Sequence, residues 1–171
     1  FAGNNTINGN ISGLNTSSIA NNGTLNLNGD NSGYLGTFTQ NSGITNVSNK
    51  FFGGTSTING GTFNWYTQEN LPTGAKLLVE NGNLNIGSDS NIAILTLNTN
   101  SSIKDTVQTN INRNSYLNIA GGSANINNND NWLGTINLSD GTLYTNLPSN
   151  SNAQNGRLNA TGGNLNIDSG I

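Results

Sequence analysis

The sequence contains no cysteine, histidine or methionine, only 2 prolines, and 8% charged residues among its 171 positions. Without histidine or cysteine, zinc sites and the usual pairs of nucleophile and base are excluded within this chain. The 5 basic residues are scattered and the net charge is −3, so no basic stripe can follow a phosphate backbone and we expect no nucleic-acid partner. No apolar run approaches the roughly 18 residues of a membrane-spanning helix, so we expect no membrane span in this segment.

Asparagine and glycine dominate what is present, with 39 and 23 copies, and the 32% of hydrophobic residues come in short, regularly spaced bursts. A five-residue unit of Gly, polar, apolar, polar, apolar recurs at residues 23–27, 61–65, 82–86, 122–126, 141–145 and 163–167. With Ile44 and Ile103 included, its first apolar residue falls at positions 25, 44, 63, 84, 103, 124, 143 and 165. The steps between them are 19 to 22 residues, and a fixed period of this length indicates a repeat architecture.

Alternation of apolar and polar residues within each unit predicts a short strand with one buried face. A second burst follows about ten residues later, as at Leu77 and Val79 or Leu117 and Ile119, which leaves no room for helices of ordinary length. One such coil cannot bury its apolar side, whereas stacked coils can. The sequence therefore predicts one all-β domain over residues 1–171, a parallel β-helix (β-solenoid) of about eight coils of roughly 20 residues each.

The abundant asparagines are predicted to lie at turns, where their side chains tolerate left-handed backbone geometry. When like residues stack from coil to coil, asparagine side chains can also hydrogen-bond to one another along the axis of the rod. We interpret these residues as structural.

Residues 23–43 resemble the passenger-associated repeat of bacterial autotransporters, and residues 131–143 resemble a second copy of it. The resemblance implies a right-handed β-helix that is secreted to the bacterial cell surface or outer membrane and that serves as an adhesin or carries other activities. Its implied partners are a host or neighbouring-cell surface, protein or glycan, and further copies of itself. Both ends of the sequence interrupt the repeat, so we expect this segment to be a piece of a longer repetitive protein.

Three functions remain open: an extracellular structural and adhesive stalk, a filament subunit that stacks end to end, and a carbohydrate-binding β-helix. Catalysis on a β-helix needs clustered carboxylates or carboxylate–base pairs, but the acids are scattered at Asp30, Glu69, Glu80, Asp89, Asp105, Asp130, Asp140 and Asp168. We predict no enzymatic activity, no catalytic residues and no cofactor. Three of these acids, Asp30, Asp89 and Asp130, lie near comparable turns, yet the glycine-rich repeat of calcium-binding β-rolls is missing, and we predict no metal site.

The most distinctive local sequence is residues 63–72, which holds three aromatic residues before a proline. Alternation predicts that Phe63 and Trp65 lie in the core and that Tyr66 is exposed. Sugars stack on aromatic rings and bond to amides and carboxylates. The candidate residues for contact with a glycan or partner are Tyr66, Gln68, Glu69, Asn70 and Trp132. The alternative interpretation is that these residues only pack and form a longer loop.

Overall fold

In a computed structural model, the protein is all-β, and the structure describes residues 1–127, 130–146 and 156–168. None of these residues lies in a helix, and accordingly no helix long and apolar enough to cross a membrane occurs among them. The strands are β1 (Asn4–Ile7), β2 (Ser18–Asn21), β3 (Thr24–Leu27), β4 (Thr37–Gln40), β5 (Ile44–Val47), β6 (Thr55–Ile58), β7 (Thr62–Trp65), β8 (Lys76–Val79), β9 (Gly82–Ile86), β10 (Ile94–Asn98), β11 (Ser102–Ile103), β12 (Val107–Ile111), β13 (Tyr116–Ile126), β14 (Asn131–Trp132), β15 (Thr135–Thr145), β16 (Arg157–Ala160) and β17 (Asn164–Ile167).

The strands stack into two parallel sheets. The first sheet has seven strands in the order β1-β3-β5-β7-β9-β12-β14. The second has ten, with the path β2-β4-β6-β8-β11-β13-β15-β16, while β10 also pairs with β13 and β17 with β15. Successive strands of each sheet come from successive coils, and the named strands pair in parallel. The prediction of a parallel β-solenoid is confirmed, with about seven turns where about eight were expected.

Two long strands show how the coil turns a corner. Both β13 and β15 run for 11 residues, and the register between them shifts around Ala120 and Ser123. Their first halves pair with β10 and β16, and their second halves pair with β11 and β17. In the two coils that run from β10 to β14, the chain therefore has three strand-bearing sides.

The register of the repeat differs from the predicted one in two places. Leu25 pairs with Thr45, not with Ile44; Ile44 faces outward and is 38% exposed. Leu84 pairs with Thr109 of the first sheet, whereas positions 103, 124, 143 and 165 form one column of the second sheet. The predicted series of first apolar positions therefore begins on the first sheet and continues on the second. The sequence did not show this change, because the strands on every side of the coil have the same short alternating pattern.

The core lies between the sheets, and its residues come from the inward positions of the strands. Phe63 and Trp65 are fully buried, which confirms their predicted placement, and the indole Nε1 of Trp65 donates to the carbonyl of Ile94 at 2.9 Å. Phe51 and Phe52, from the turn after β5, complete an aromatic cluster with ring centroids 4.7 to 6.3 Å apart. Full burial of such a side chain contributes on the order of 2 kcal/mol.

Where the second sheet passes into the first, the coils turn on a column of glycines: Gly3, Gly23, Gly43, Gly61 and Gly82. The N–H of Ile44 donates to the carbonyl of Gly23, and that of Thr62 donates to Gly43, both at 2.8 Å. A Cβ on Gly43 would overlap the carbonyl oxygen of Gly23. Gly43 also has φ of +74°, where side chains are disfavoured. Glycine is needed at this corner for both reasons.

Asparagine adopts the left-handed backbone conformation less often than predicted. Among the described non-glycine residues, Asn100 and Asn114 have positive φ, while nine described glycines do. Many of the other asparagines lie on the outer faces of strands.

We expect Gly43→Ala to destabilise the fold more than Gly74→Ala. Both glycines have positive φ, +74° and +82°, so each substitution should cost about 1–2 kcal/mol in backbone strain. A Cβ on Gly74 has nothing within 4 Å, whereas one on Gly43 meets the adjacent coil, which adds roughly 1–3 kcal/mol. Chemical denaturation of the two variants measures the difference. Equal losses of unfolding free energy would contradict the close-packed corner.

Two buried serines, Ser56 in β6 and Ser101 just before β11, should respond oppositely to replacement by alanine. The hydroxyl of Ser56 is buried and has no hydrogen-bond partner, so Ser56→Ala is expected to raise stability, by up to about 1–2 kcal/mol. The Ser101 hydroxyl accepts the N–H of Leu77 at 3.1 Å, so Ser101→Ala leaves that donor unsatisfied and should lower stability by a similar amount. Thermal melting checks both. A loss of stability in Ser56→Ala would show that its hydroxyl has a partner.

Candidate functional site

The outward face of the first sheet carries a central column of side chains, all of them asparagine except the first. Strand pairing places Thr6, Asn26, Asn46, Asn64, Asn85, Asn110 and Asn131 at equivalent positions of successive coils. Each asparagine lies between two inward residues of its strand, as Asn26 does between Leu25 and Leu27. The alternation that buries the leucines therefore turns the asparagines outward. We call these residues the amide column.

From Thr6 to Asn110, the amide column is a continuous chain of hydrogen bonds along the rod. Asn26 Nδ2 donates to the hydroxyl of Thr6 at 3.1 Å. Asn46 donates to Oδ1 of Asn26, and Asn64 to Oδ1 of Asn46, each at 2.6 Å. Asn85 donates to Oδ1 of Asn64, and Asn110 to Oδ1 of Asn85, each at 2.7 Å. All of the donors point the same way along the axis, so the column has one direction.

The column forms because the strand spacing suits the amide group. Parallel strands lie about 4.8 Å apart, and stacked identical amides can then bond to one another without distorting the backbone. Asn64, at the centre of the column, is bonded on both sides and only 7% exposed. The asparagines on either side of it are half-buried. The sequence predicted hydrogen bonding between stacked asparagines but not this position for it.

Two further outward columns flank the amide column. Strand pairing aligns Thr24, Ile44, Thr62, Asn83 and Gln108 on one side. The backbone ladder continues past the strand ends to align Asn28, Ser48 and Tyr66 on the other. We call the three columns together the amide face. It contains no aspartate, glutamate, lysine or arginine, so its chemistry is that of amides, hydroxyls, one isoleucine and one tyrosine.

A groove opens at the edge of the amide face beside Tyr66. Its cavity volume is about 420 Å³, and its lining includes Ser48, Tyr66, Gln68, Asn91 and Ile92. Ile92 is 47% exposed, and the Tyr66 side chain is half-buried where the sequence predicted an exposed one. The groove, which we call the Tyr66 groove, combines an aromatic ring with amides and an apolar surface.

The structure brings together only two of the five predicted contact residues, Tyr66 and Gln68, in the Tyr66 groove. Glu69 is exposed and its N–H donates to the hydroxyl of Thr67. Asn70 turns to a second groove of about 530 Å³, where its Oδ1 accepts from the hydroxyl of Thr96 at 3.0 Å.

The fifth predicted residue, Trp132, lies in β14, three strands along the first sheet from β7, which precedes Tyr66. It pairs with Ile111 on the inward column that also contains Trp65 and Ile86. The side chain is half-buried against the core, and its Nε1 donates to the carbonyl of Gly134 at 3.1 Å. Trp132 therefore occupies a packing position and does not share a site with Tyr66.

The acidic residues occupy unrelated positions. Asp30 accepts from Ser32 and pairs with Lys50 at 3.2 Å, and these hydrogen bonds, the one from the Ser32 side chain foremost, lower the pKa of Asp30. Asp130 lies on the inward side of the first sheet and accepts the N–H groups of Thr109 and Asn127; burial raises its pKa despite those bonds. Within the described ranges, no group of three or more acidic residues could hold a metal ion.

A substitution at the centre of the amide column should make stability depend on pH. Asn64→Asp replaces the donor to Asn46 by a carboxyl, which can donate only when it is protonated, and burial disfavours its charged form. The folded-state pKa of the introduced carboxyl is therefore raised above its unfolded value. Stability near that of the parent is expected at low pH and is lost as the pH rises above about 4, by roughly 1–3 kcal/mol. Thermal melting at pH 3 and pH 7 measures the loss.

Asn83→Asp is the matched control, because Asn83 lies on the same face in the flanking column, outside the amide column. The difference between this variant and the parent should change little between the two pH values. An equal pH dependence in both variants would show that the amide column is not the cause.

In comparisons with known proteins, no family model, no curated protein and no solved structure matches the chain.

Proposed function

We propose that this chain is a structural and adhesive segment of a bacterial surface protein, a rod that holds a repeated polar face away from the cell. The observation that carries the proposal is the amide face, in which the same uncharged contact surface recurs in register from coil to coil. The resemblance of residues 23–43 to autotransporter passenger repeats supports an extracellular, cell-surface location.

The stacked coils suit a spacer. Each coil is bonded to the next through both sheets, and the core cluster runs without a break from Leu25 to Leu143. Seven strands at about 4.8 Å make a rod roughly 30 Å long. Adding coils lengthens such a rod without changing its cross-section.

Repetition suits adhesion as well. A contact made by one coil can be repeated by the next, and linked weak contacts give an overall avidity well above the affinity of any one of them. The proposal assigns no catalytic step to the chain. Asp30 forms an ion pair with a lysine, and the buried carboxylate of Asp130 accepts hydrogen bonds from backbone N–H groups.

The repeat can be tested by removing one coil. Deleting residues 24–43 joins Gly23 to Ile44. The register is kept because Ile44 is the partner of Thr24 in the next coil, and because Thr55 occupies the same column as Ser18 and Thr37. Deleting residues 24–33 instead places the following strands out of register. Beads coated with the parent or the in-register variant are expected to attach to cells, and beads coated with the out-of-register variant are not. Microscopy counts the attached beads.

The location is tested on intact cells that produce the protein. An antibody against the folded chain should label them, and external protease should remove the label. Unlabelled intact cells, or failure of the parent beads to attach to producing or target cells, would contradict the proposal.

A further inference from the structure

We propose that the amide face binds an uncharged linear polysaccharide, which lies along the rod over the amide column and stacks a sugar ring on Tyr66. The proposal deepens the adhesive role by naming the class of partner, and it rests on that role only for its biological setting. Four features of the face support it: charge, hydrogen-bonding capacity, the Tyr66 groove and size.

Charge selects a neutral partner. All 5 basic and 8 acidic residues of the chain lie outside the three columns of the amide face. A charged polymer that settled there would lose part of its hydration and gain no opposite charge in return. An uncharged polyhydroxyl polymer avoids that cost.

Hydrogen-bonding capacity remains on the face after the amide column has formed. Each asparagine amide has two donors and two acceptor sites, and the column uses one donor and one acceptor of Asn46, Asn64 and Asn85. Sugar hydroxyls both donate and accept, so they can meet the remaining N–H and Oδ1 positions of the half-buried members. These positions recur about every 4.8 Å, which is close to the length of one sugar unit.

The Tyr66 groove adds an aromatic contact to the hydrogen bonds. Tyr66 is the next outward residue after Asn64 along the same strand direction, so it borders the amide column directly. Sugar rings present C–H faces that pack on aromatic rings, and Gln68 and Asn91 lie in the same groove. The exposed Ile92 extends the apolar part of this contact.

Size favours a narrow polymer over a second copy of the chain. Seven strands, most of them four or five residues long, define an area about 30 Å long and 13 Å wide, roughly 400 Å². A stable protein–protein interface buries about 800 Å² on each partner. The face is too small for that, but its long and narrow shape fits one polysaccharide chain.

The test measures retention of the folded chain on microcrystalline cellulose and chitin, and its retardation in native gels that contain hydroxyethyl cellulose or dextran. We expect binding to at least one of these uncharged polymers that persists at high salt, because no ion pairs are involved. Thr62→Lys, which puts a charge on the face, and Tyr66→Ala, which removes the ring, are each expected to weaken binding about tenfold.

Thr57→Lys is the matched control, since Thr57 is an outward, half-buried threonine on the second sheet. It should bind as the parent does, with all variants first shown to melt like the parent. No binding to any of the four polymers, or an equal loss in Thr57→Lys, overturns the proposal.

Two further outcomes separate this proposal from the adhesive role. If Thr62→Lys abolishes self-association in sedimentation velocity and no polymer binds, the face joins copies of the chain and the polysaccharide proposal is wrong. If coated beads attach to cells yet bind no polymer, the adhesive rod stands and the polysaccharide proposal fails.

Discussion

The hydrogen bonds between parallel strands of successive coils are the constraint on which the rest of the structure depends. They fix the distance from one coil to the next at about 4.8 Å and place equivalent residues directly over one another. Each position of the coil thereby becomes a column of stacked residues. The structural role of a residue type then depends on how its side chain interacts with the same position in the next coil. Leucine and isoleucine stack into the core, glycine into a corner, and asparagine into a chain of amides.

Polar residues inside the coil follow the same constraint by bonding to the backbone. Asn21 lies on an inward position, and its Nδ2 donates to the carbonyls of Gly23 and Ile44 and to the hydroxyl of Thr45. Gln40, one coil further, donates to the carbonyls of Gly60 and Thr62. Both donate to backbone carbonyls at the corner where the chain leaves the second sheet, which offsets part of the cost of burying an amide there. The Oε1 of Gln40 is buried without a hydrogen-bond partner.

The proposed functions draw on a surface that the fold produces as a by-product of its stability. The amide column stabilises the stack, and the same amides leave donors and acceptors facing outward at the strand spacing. A surface of this kind is periodic only along the axis of the rod, so it suits a partner that is periodic in one direction too. The groove at Tyr66 interrupts that regularity at one place, which gives the face a point of distinct chemistry.

The sequence by itself determined the strands, the parallel solenoid and the burial of Phe63 and Trp65, because alternation decides which side of a strand each residue faces. It did not determine which side of the coil a given repeat occupies: Ile103 follows Val79 on the second sheet, and Leu84 is followed by Thr109. The lengths of the turns decide on which side of the coil a strand lies, whereas the same short alternating pattern occurs on every side. Only the tertiary structure brought Phe51 and Phe52 into the core, separated Trp132 from Tyr66, and aligned the asparagines into one column. These placements depend on contacts between different strands and turns of the stacked coils, which the local pattern does not specify.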